Sequence, residues 1–376
     1  MRATFLLLLF IASSLFLSAQ ELTHQQYKED FNFFWQTIKD NYGYWDKKQT
    51  DWQKVKEFYQ PQVDTVSSRG SFVLLLEKVF NELYDHHASL NTNTRESQRL
   101  VPSGTDIWAE YINDKPIVTE VRIGFGAEAA GLKAGMEIIA FNDVPIEKAI
   151  LPFLPTSSRK NDKAARDYAL RVLVAGKAVD DRKIRIKSGN VIQDIFPDRP
   201  INLLLKHQYK SEIESRTIRN AIGYIRINNQ LGNNYLIPIF DSVLRSMHHT
   251  KALILDLRET PSGGNTTVAR AILGIFIRKD GFYQKHELPA EETAYGIKRS
   301  WEEIVSPRAV NYDKPLVVLV NHWTGSVSEG ITIGFDALKR ATIIGTRMAG
   351  LNGAIYSYQM PHSKIRFSFP VEKLFH

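Results

Sequence analysis

Cysteine is wholly absent from the 376 residues. That excludes a thiol nucleophile, disulfides, thiolate metal sites and the acylated N-terminal cysteine of a bacterial lipoprotein. Long apolar runs are nearly as scarce: only Phe5 to Leu17 approaches one, and it falls short of the ~20 residues that span a bilayer. With Arg2 before it and Ser18-Ala19-Gln20 after it, residues 1–19 read as a secretory signal peptide cut after Ala19. The expected location is periplasmic or secreted, with no membrane span left after cleavage. Basic blocks are missing too. The formal charge is +7, but Lys and Arg are scattered without interleaved aromatics, which argues against nucleic acid as a partner. Metal-ligand spacing is also lacking, since His86-His87 and His248-His249 are adjacent pairs, unlike the one-face spacing of H-E-x-x-H. No metal or other cofactor is expected.

What is present is ordinary folded-protein composition, 43% apolar and 24% charged, enough for two or three domains with a real core. Residues 20–95 are expected to form a helical N-terminal domain. Tyr27, Phe31, Phe34, Trp35 and Ile38, then Trp52, Val55, Phe58 and Tyr59, then Phe72, Leu75, Leu76, Val79 and Phe80 recur at helical spacing. The third helix is expected to run into Asp85-His86-His87. Residues 100–200 turn β-rich and glycine-punctuated, then become a less informative region with a helical pattern over 160–173 and strand patterns at 184–186 and 201–205. Pro116-Ile-Val-Thr-Glu-Val121, Gly126-Ala-Glu-Ala-Ala-Gly-Leu-Lys-Ala-Gly135 and Glu137-Ile-Ile-Ala-Phe-Asn142-Asp143 resemble a PDZ domain, which would bind an extended C-terminal tail as an added strand.

From 201 to 376 strands alternate with helices, predicting an α/β layer. Asp256-Leu-Arg258 ends a strand and leads through Gly263-Gly264 to a helix. Asn321-His-Trp-Thr-Gly-Ser-Val-Ser-Glu-Gly330 ends another strand and opens a second helix, placing Ser326 beside unpaired backbone N–H groups at the positive end of the helix dipole. Ser326-Val-Ser-Glu329 is also a capping box. Gly-Gly after a strand is usually a plain turn. Together, however, the two turns can supply what an oxyanion needs, two convergent N–H donors.

Asp85-His-His87, the PDZ-like segment, Leu255-Asp-Leu-Arg258 with Gly263-Gly264, and Thr324-Gly-Ser-Val-Ser-Glu329 follow one another in the order found in a known family. The chain resembles the tail-specific (C-terminal processing) serine peptidases and their tricorn-core and retinoid-binding relatives. The resemblance implies an α/β, crotonase/ClpP-like peptidase core carrying the PDZ-like and helical domains. It implies Ser326 as nucleophile, His87 as general base, and Gly263, Gly264 and Val327 as the oxyanion hole. In the lysine-using branch a lysine stands where this chain has Leu351, and Arg347 nearby keeps its proton, so a histidine is expected. His322, four residues before Ser326, is the rival. The acidic "E-x-x-G-x-x-P-D" segment that orients the histidine in tricorn-like enzymes does not occur up to His376 and is expected beyond it. The implied activity is hydrolysis of peptide bonds in extended or C-terminal protein segments through an acyl-enzyme. A non-catalytic peptide- or ligand-binding protein on the same scaffold is the alternative, and the oligomeric state is open. An esterase of the α/β-hydrolase type fits less well, for want of a G-x-S-x-G elbow.

Overall fold

The computed structural model describes residues 22–158, 162–199 and 211–376. The signal-peptide reading and the strand pattern at 201–205 lie outside these residues. No helix among them is long and apolar enough to cross a membrane.

Helix α1 (His24–Asn41) starts where Thr23 and Gln26 bond each other's backbone N–H groups. It buries Tyr27, Phe31, Phe34, Trp35 and Ile38 against α2 (Trp52–Val63) and α3 (Arg69–Asn81). Trp35 and Trp52 each donate an indole N–H to the other's carbonyl, at 2.8 and 3.1 Å, which fixes the α1–α2 crossing. The third helix stops at Asn81, short of the expected Asp85-His-His87. Tyr84 takes a left-handed φ of 35°, and Glu82 turns its carboxylate to Tyr59, Thr156 and Ser157. The two histidines therefore occupy a turn, followed by strand β1 (Ser89–Leu90).

A second core gathers β2 (Ile107–Ile112), β3 (Lys115–Val121), β4 (Glu137–Phe141), β5 (Val144–Pro145), β6 (Ile184–Ser188) and β7 (Val191–Ile195). They pair in the order β2-β3-β4-β6-β7, with β5 on β4. Asn142-Asp143 makes the β4–β5 turn with both φ angles positive, as Asn and Asp tolerate. The helix Lys163–Ala175 buries Ala169, Leu170, Leu173 and Val174 in this same core, so the region that sequence left uninformative completes the β-rich unit.

The third unit lays down β8 (Ile213–Ile218), β9 (Ile222–Ile227) and β10 (Ala252–Asp256), leaves in a hairpin of β11 (Gly281–Glu287) and β12 (Ser300–Val305), then returns for β13 (Leu316–Val320) and β14 (Thr342–Gly345). The order is β14-β13-β10-β9-β8, with β9, β10, β13 and β14 parallel and β8 antiparallel. Parallel pairing brings the C-terminal ends of β10 and β13 to one edge, where open α/β sheets bind ligands. The chain closes with β15 (Ala354–Gln359) and β16 (Arg366–Phe375). β16 bonds β1, β11 and β15, and Met360, Ile365, Phe367, Phe369 and Val371 enter the core of the N-terminal helices. Asp30, fully buried, fastens this joint by accepting from His362 and Ser363 N–H at 2.9 and 2.7 Å.

Several polar contacts tie the β-rich unit to the α/β sheet. Arg122 pairs with Glu259 at 2.7 Å with both side chains buried, His322 meets Glu120 at 2.5 Å, and Trp323 donates its indole N–H to the Thr105 carbonyl at 2.9 Å. Removing one member of a buried ion pair strands the other charge, a cost of about 3–5 kcal/mol, whereas apolar replacement of both is near neutral. Arg122→Ala and Glu259→Ala should therefore each lower the urea unfolding midpoint markedly, and R122M/E259L should recover most of the loss. Single variants that unfold at the wild-type midpoint would remove the pair from the account of this joint.

Candidate active site

Two loops at the edge of the parallel sheet are laced into one. Thr260 N–H donates to the Trp323 carbonyl at 3.1 Å, Gly325 N–H donates to the Thr260 carbonyl at 3.3 Å, and Thr324 Oγ1 donates to the Leu257 carbonyl at 3.0 Å. The approach is so close that a Cβ at Gly325 would stand 2.8 Å from the Pro261 carbonyl oxygen. The lacing drives the chain from β13 sharply into the helix Val327–Ala337, with Ser326 at the corner holding φ 55° and ψ −116°. A positive φ at a residue with a Cβ costs about 1–3 kcal/mol and persists only where its surroundings enforce it. Such strained strand-to-helix corners expose a side-chain oxygen, and this one lines a cavity of ≈ 280 Å³.

The enforcing group is Glu329. Its carboxylate accepts from Ser326 N–H at 2.8 Å, Gly350 N–H at 3.0 Å and Leu351 N–H at 2.9 Å. Burial pushes this carboxyl up to about 7, against the three N–H donors, which favour the anion. Glu329 thus does more than reach back to its own helix start: it pins the loop after β14.

That loop delivers the histidine contact. Asn352, next along, directs its carbonyl oxygen to His87 Nδ1 at 3.1 Å. A carbonyl only accepts, so Nδ1 carries the proton and Nε2 is left with its lone pair. His87 N–H donates to Asp85 at 2.9 Å, and the other oxygen of that carboxylate takes the Tyr42 hydroxyl at 2.6 Å. Burial lowers the affinity of His87 for a second proton below the usual value, while the Asn352 carbonyl and Asp85 oppose the shift.

Gly263 and Gly264 face the serine corner from the other loop. A Cβ at Gly263 would stand 2.5 Å from Ser326 Cβ and 2.9 Å from its Oγ, and one at Gly264 would strike the Leu231 backbone at 2.2 Å. The Gly263 N–H is spent closing its own turn to Thr260 at 3.2 Å, whereas the N–H groups of Gly264 and Val327 have no acceptor among the described residues. Leu351 occupies the lysine position as an apolar group, with Cδ1 3.1 Å from where a Gly325 Cβ would be. His322 turns elsewhere, bonded to Glu120 and stacked on Trp108 with centroids 4.6 Å apart. His86 stacks on Tyr168 at 4.5 Å and accepts from Arg171 at 3.0 Å. Among the described residues no three side chains of His, Asp or Glu gather as a metal set.

The linkage of Glu329 has a definite sign. Folding raises its carboxyl from 4.5 to about 7, so between those values the folded chain binds the extra proton. The stability contribution is fully present below 4.5 and is lost as pH rises through about 7. The melting temperature of wild type relative to Glu329→Gln should fall across that window, and a level difference would exclude the raised carboxyl.

Residues 221–375 match the model of peptidase family S41, and residues 23–81 that of the tricorn protease C1 domain. A carboxyl-terminal-processing protease of Synechocystis sp. is 24% identical over 352 residues, spanning 89% of this chain and 70% of that protein. Among solved structures, mature CPAF complexed with lactacystin aligns with a TM-score of 0.61 at 15% identity, over 94% of this chain and 90% of that one. The photosystem II D1 C-terminal processing protease aligns with a TM-score of 0.56 at 16% identity, over 93% and 88%. At such identities the structures speak for the fold, and the peptidase assignment rests on the sequence matches. With residues 221–375 matching the S41 model, the chain is a serine-type peptidase similar to the carboxyl-terminal-processing proteases.

Proposed function

We propose that the protein is an exported endopeptidase that cleaves extended or C-terminal protein segments through an acyl-enzyme on Ser326. The observation that carries this reading is the hydrogen-bonded path from Ser326 through Glu329 and the loop 350–352 to His87, which joins a strained serine to a histidine whose Nε2 has no partner among the described residues. In the proposed cycle Ser326 Oγ attacks the peptide carbonyl as His87 Nε2 takes its proton. His87 then returns the proton to the leaving amine, and water attacks the acyl-enzyme with the same base. The oxyanion would be held by the N–H groups of Val327 and Gly264, with Gly263 contributing through the side chain it lacks. The Asn352 carbonyl would orient His87, and Asp85 would supply nearby negative charge when the imidazolium forms. Residues 100–200 are proposed to act as a PDZ-like unit that delivers peptide tails, and residues 1–19 as the export signal.

A small alkyl fluorophosphonate tests the serine and base directly. Wild type should be labelled stoichiometrically, Ser326→Ala not at all, and His87→Ala slower by about 10²-fold or more. Leu351→Ala should retain labelling, because no lysine-type base operates there. A wild type that takes no label would refute the peptidase reading in favour of a binding protein on this scaffold.

The pH profile carries separate information. Because burial holds His87 neutral to more acid pH than an ordinary imidazole, labelling should persist as pH falls through 6.5, with its acid limb below that value. A limb at or above 6.5 would point to another base.

A further inference from the structure

His286 stands on the wall of the cavity that holds Ser326. Strand β11 runs antiparallel to the helix Val327–Ala337. A Cβ on Gly281 would meet Leu338 at 2.3 Å, one on Gly334 would meet Tyr283 at 3.3 Å, and one on Gly330 would meet Gln284 at 2.6 Å. Two further strand residues advance about 7 Å, the rise of about four helical residues. His286 therefore comes level with the start of the helix, where Ser326 stands.

The imidazole is rigidly held and half satisfied. It is 5% exposed and stacked on Trp301 with centroids 5.2 Å apart. Nδ1 lies 2.8 Å from Glu372, whose other oxygen accepts the Tyr356 hydroxyl at 2.5 Å. Burial works to raise the Glu372 carboxyl, but the bonds from His286 and Tyr356 outweigh it and hold the group below the usual carboxylate range. Glu372 accepts from Nδ1–H, which in the neutral ring leaves the lone pair on Nε2. That atom is buried and has no partner among the described residues, although the apolar residues around it would pack against carbon more cheaply.

We propose, building on the reading of Ser326 as nucleophile, that His286 determines specificity by accepting a hydrogen bond from the side chain on the acyl side of the cleaved bond. The preferred side chain is a large neutral one ending in a hydroxyl donor, that of tyrosine. The apolar wall of the cavity beside His286 is formed by Ala269, Ile333, Met348, Ile355 and Leu374, a sleeve that suits a ring. The ≈ 280 Å³ equals about nine waters' share of liquid volume, room for a phenol. A carboxylate side chain would face the carboxyls of Glu329 and Glu372, and a lysine would have to shed its hydration in the apolar sleeve. Phenylalanine would fill the sleeve and leave Nε2 unpaired, the kind of omission that hydrogen-bonding sites reject.

Two acylaminoalkyl diphenyl phosphonates, identical except for a 4-hydroxybenzyl or benzyl group beside phosphorus, read this directly on the full chain. Each phosphonylates Ser326, forming its P–O bond as phenol departs with the proton. The tyrosine-like probe should label wild type on the order of tenfold to a hundredfold faster, and His286→Phe should reverse the order by speeding the benzyl probe. Equal rates on wild type, or rates favouring benzyl, would overturn the specificity role even if the small fluorophosphonate still labels Ser326. Loss of both probes in a His286→Phe protein that melts cooperatively would make His286 the base and overturn it too. Failure of the small fluorophosphonate on wild type would remove the nucleophile, and this inference with it.

Discussion

Three main-chain N–H groups converge on one buried carboxylate, that of Glu329, and the candidate site depends on that convergence. A hydrogen bond to a charged acceptor contributes about 1.5–3 kcal/mol, against a strain of about 1–3 kcal/mol for Ser326 in its left-handed conformation. Three such bonds exceed the strain, but burial outweighs their preference for the anion and lifts the carboxyl to about 7. The same oxygens stand at the N-terminal end of a helix, where negative charge is favoured. One side chain thus fixes the serine corner, holds the loop carrying Asn352, and through it orients His87.

The corner is also where the three cores of the molecule meet. Residues 321–326 are laced to the loop after β10 by Thr260 and Thr324, to the β-rich unit by His322 and Trp323, and to the loop 350–351 by Glu329. That loop in turn reaches the helical unit at His87. The glycines follow from this crowding: side chains at Gly263, Gly264 and Gly325 would strike neighbouring backbone or Ser326 itself. At Gly264 and Gly325 lack of volume is what matters, whereas Gly263 also needs its positive φ of 65°.

Periodicity and turn chemistry made the scaffold legible. The apolar stripe of α1, the strands around Leu255 and Val318 and the strand-to-helix turn at Ser326 all stand in the sequence, because each is a local pattern with a local cause. What escaped was long-range or carried by the main chain. No residue type signals that the Asn352 carbonyl will meet His87 from 265 residues away, nor that His322 will be drawn to Glu120, 202 residues distant. Gly-Gly correctly suggests exposed amides, but only coordinates reveal that the Gly263 N–H closes its own turn. His286 gives no sign at all, since its meaning comes from Glu372 on a neighbouring strand and from the register of β11 along a helix. Glu329 was half visible: S-x-x-E predicts the bond to Ser326, and the two bonds to the later loop have no local signature.

The settings of His87 and His286 differ in a way that bears on their proposed roles. A general base must rest neutral with its lone pair toward the nucleophile and then carry a positive charge briefly. His87 has a neutral carbonyl on Nδ1, which selects the tautomer without strongly favouring the charged ring, and burial reinforces neutrality. The countercharge is Asp85, bonded to the His87 backbone N–H and not to its ring, so it is felt through space when the imidazolium forms. His286 instead has a carboxylate locked directly on Nδ1 and an aromatic face behind it, an arrangement that fixes orientation above all. A fixed acceptor at a cavity wall suits recognition, where the partner must come to the atom. A neutral imidazole held on a short loop beside Asp85 suits proton transfer, where charge must appear and vanish within one turnover.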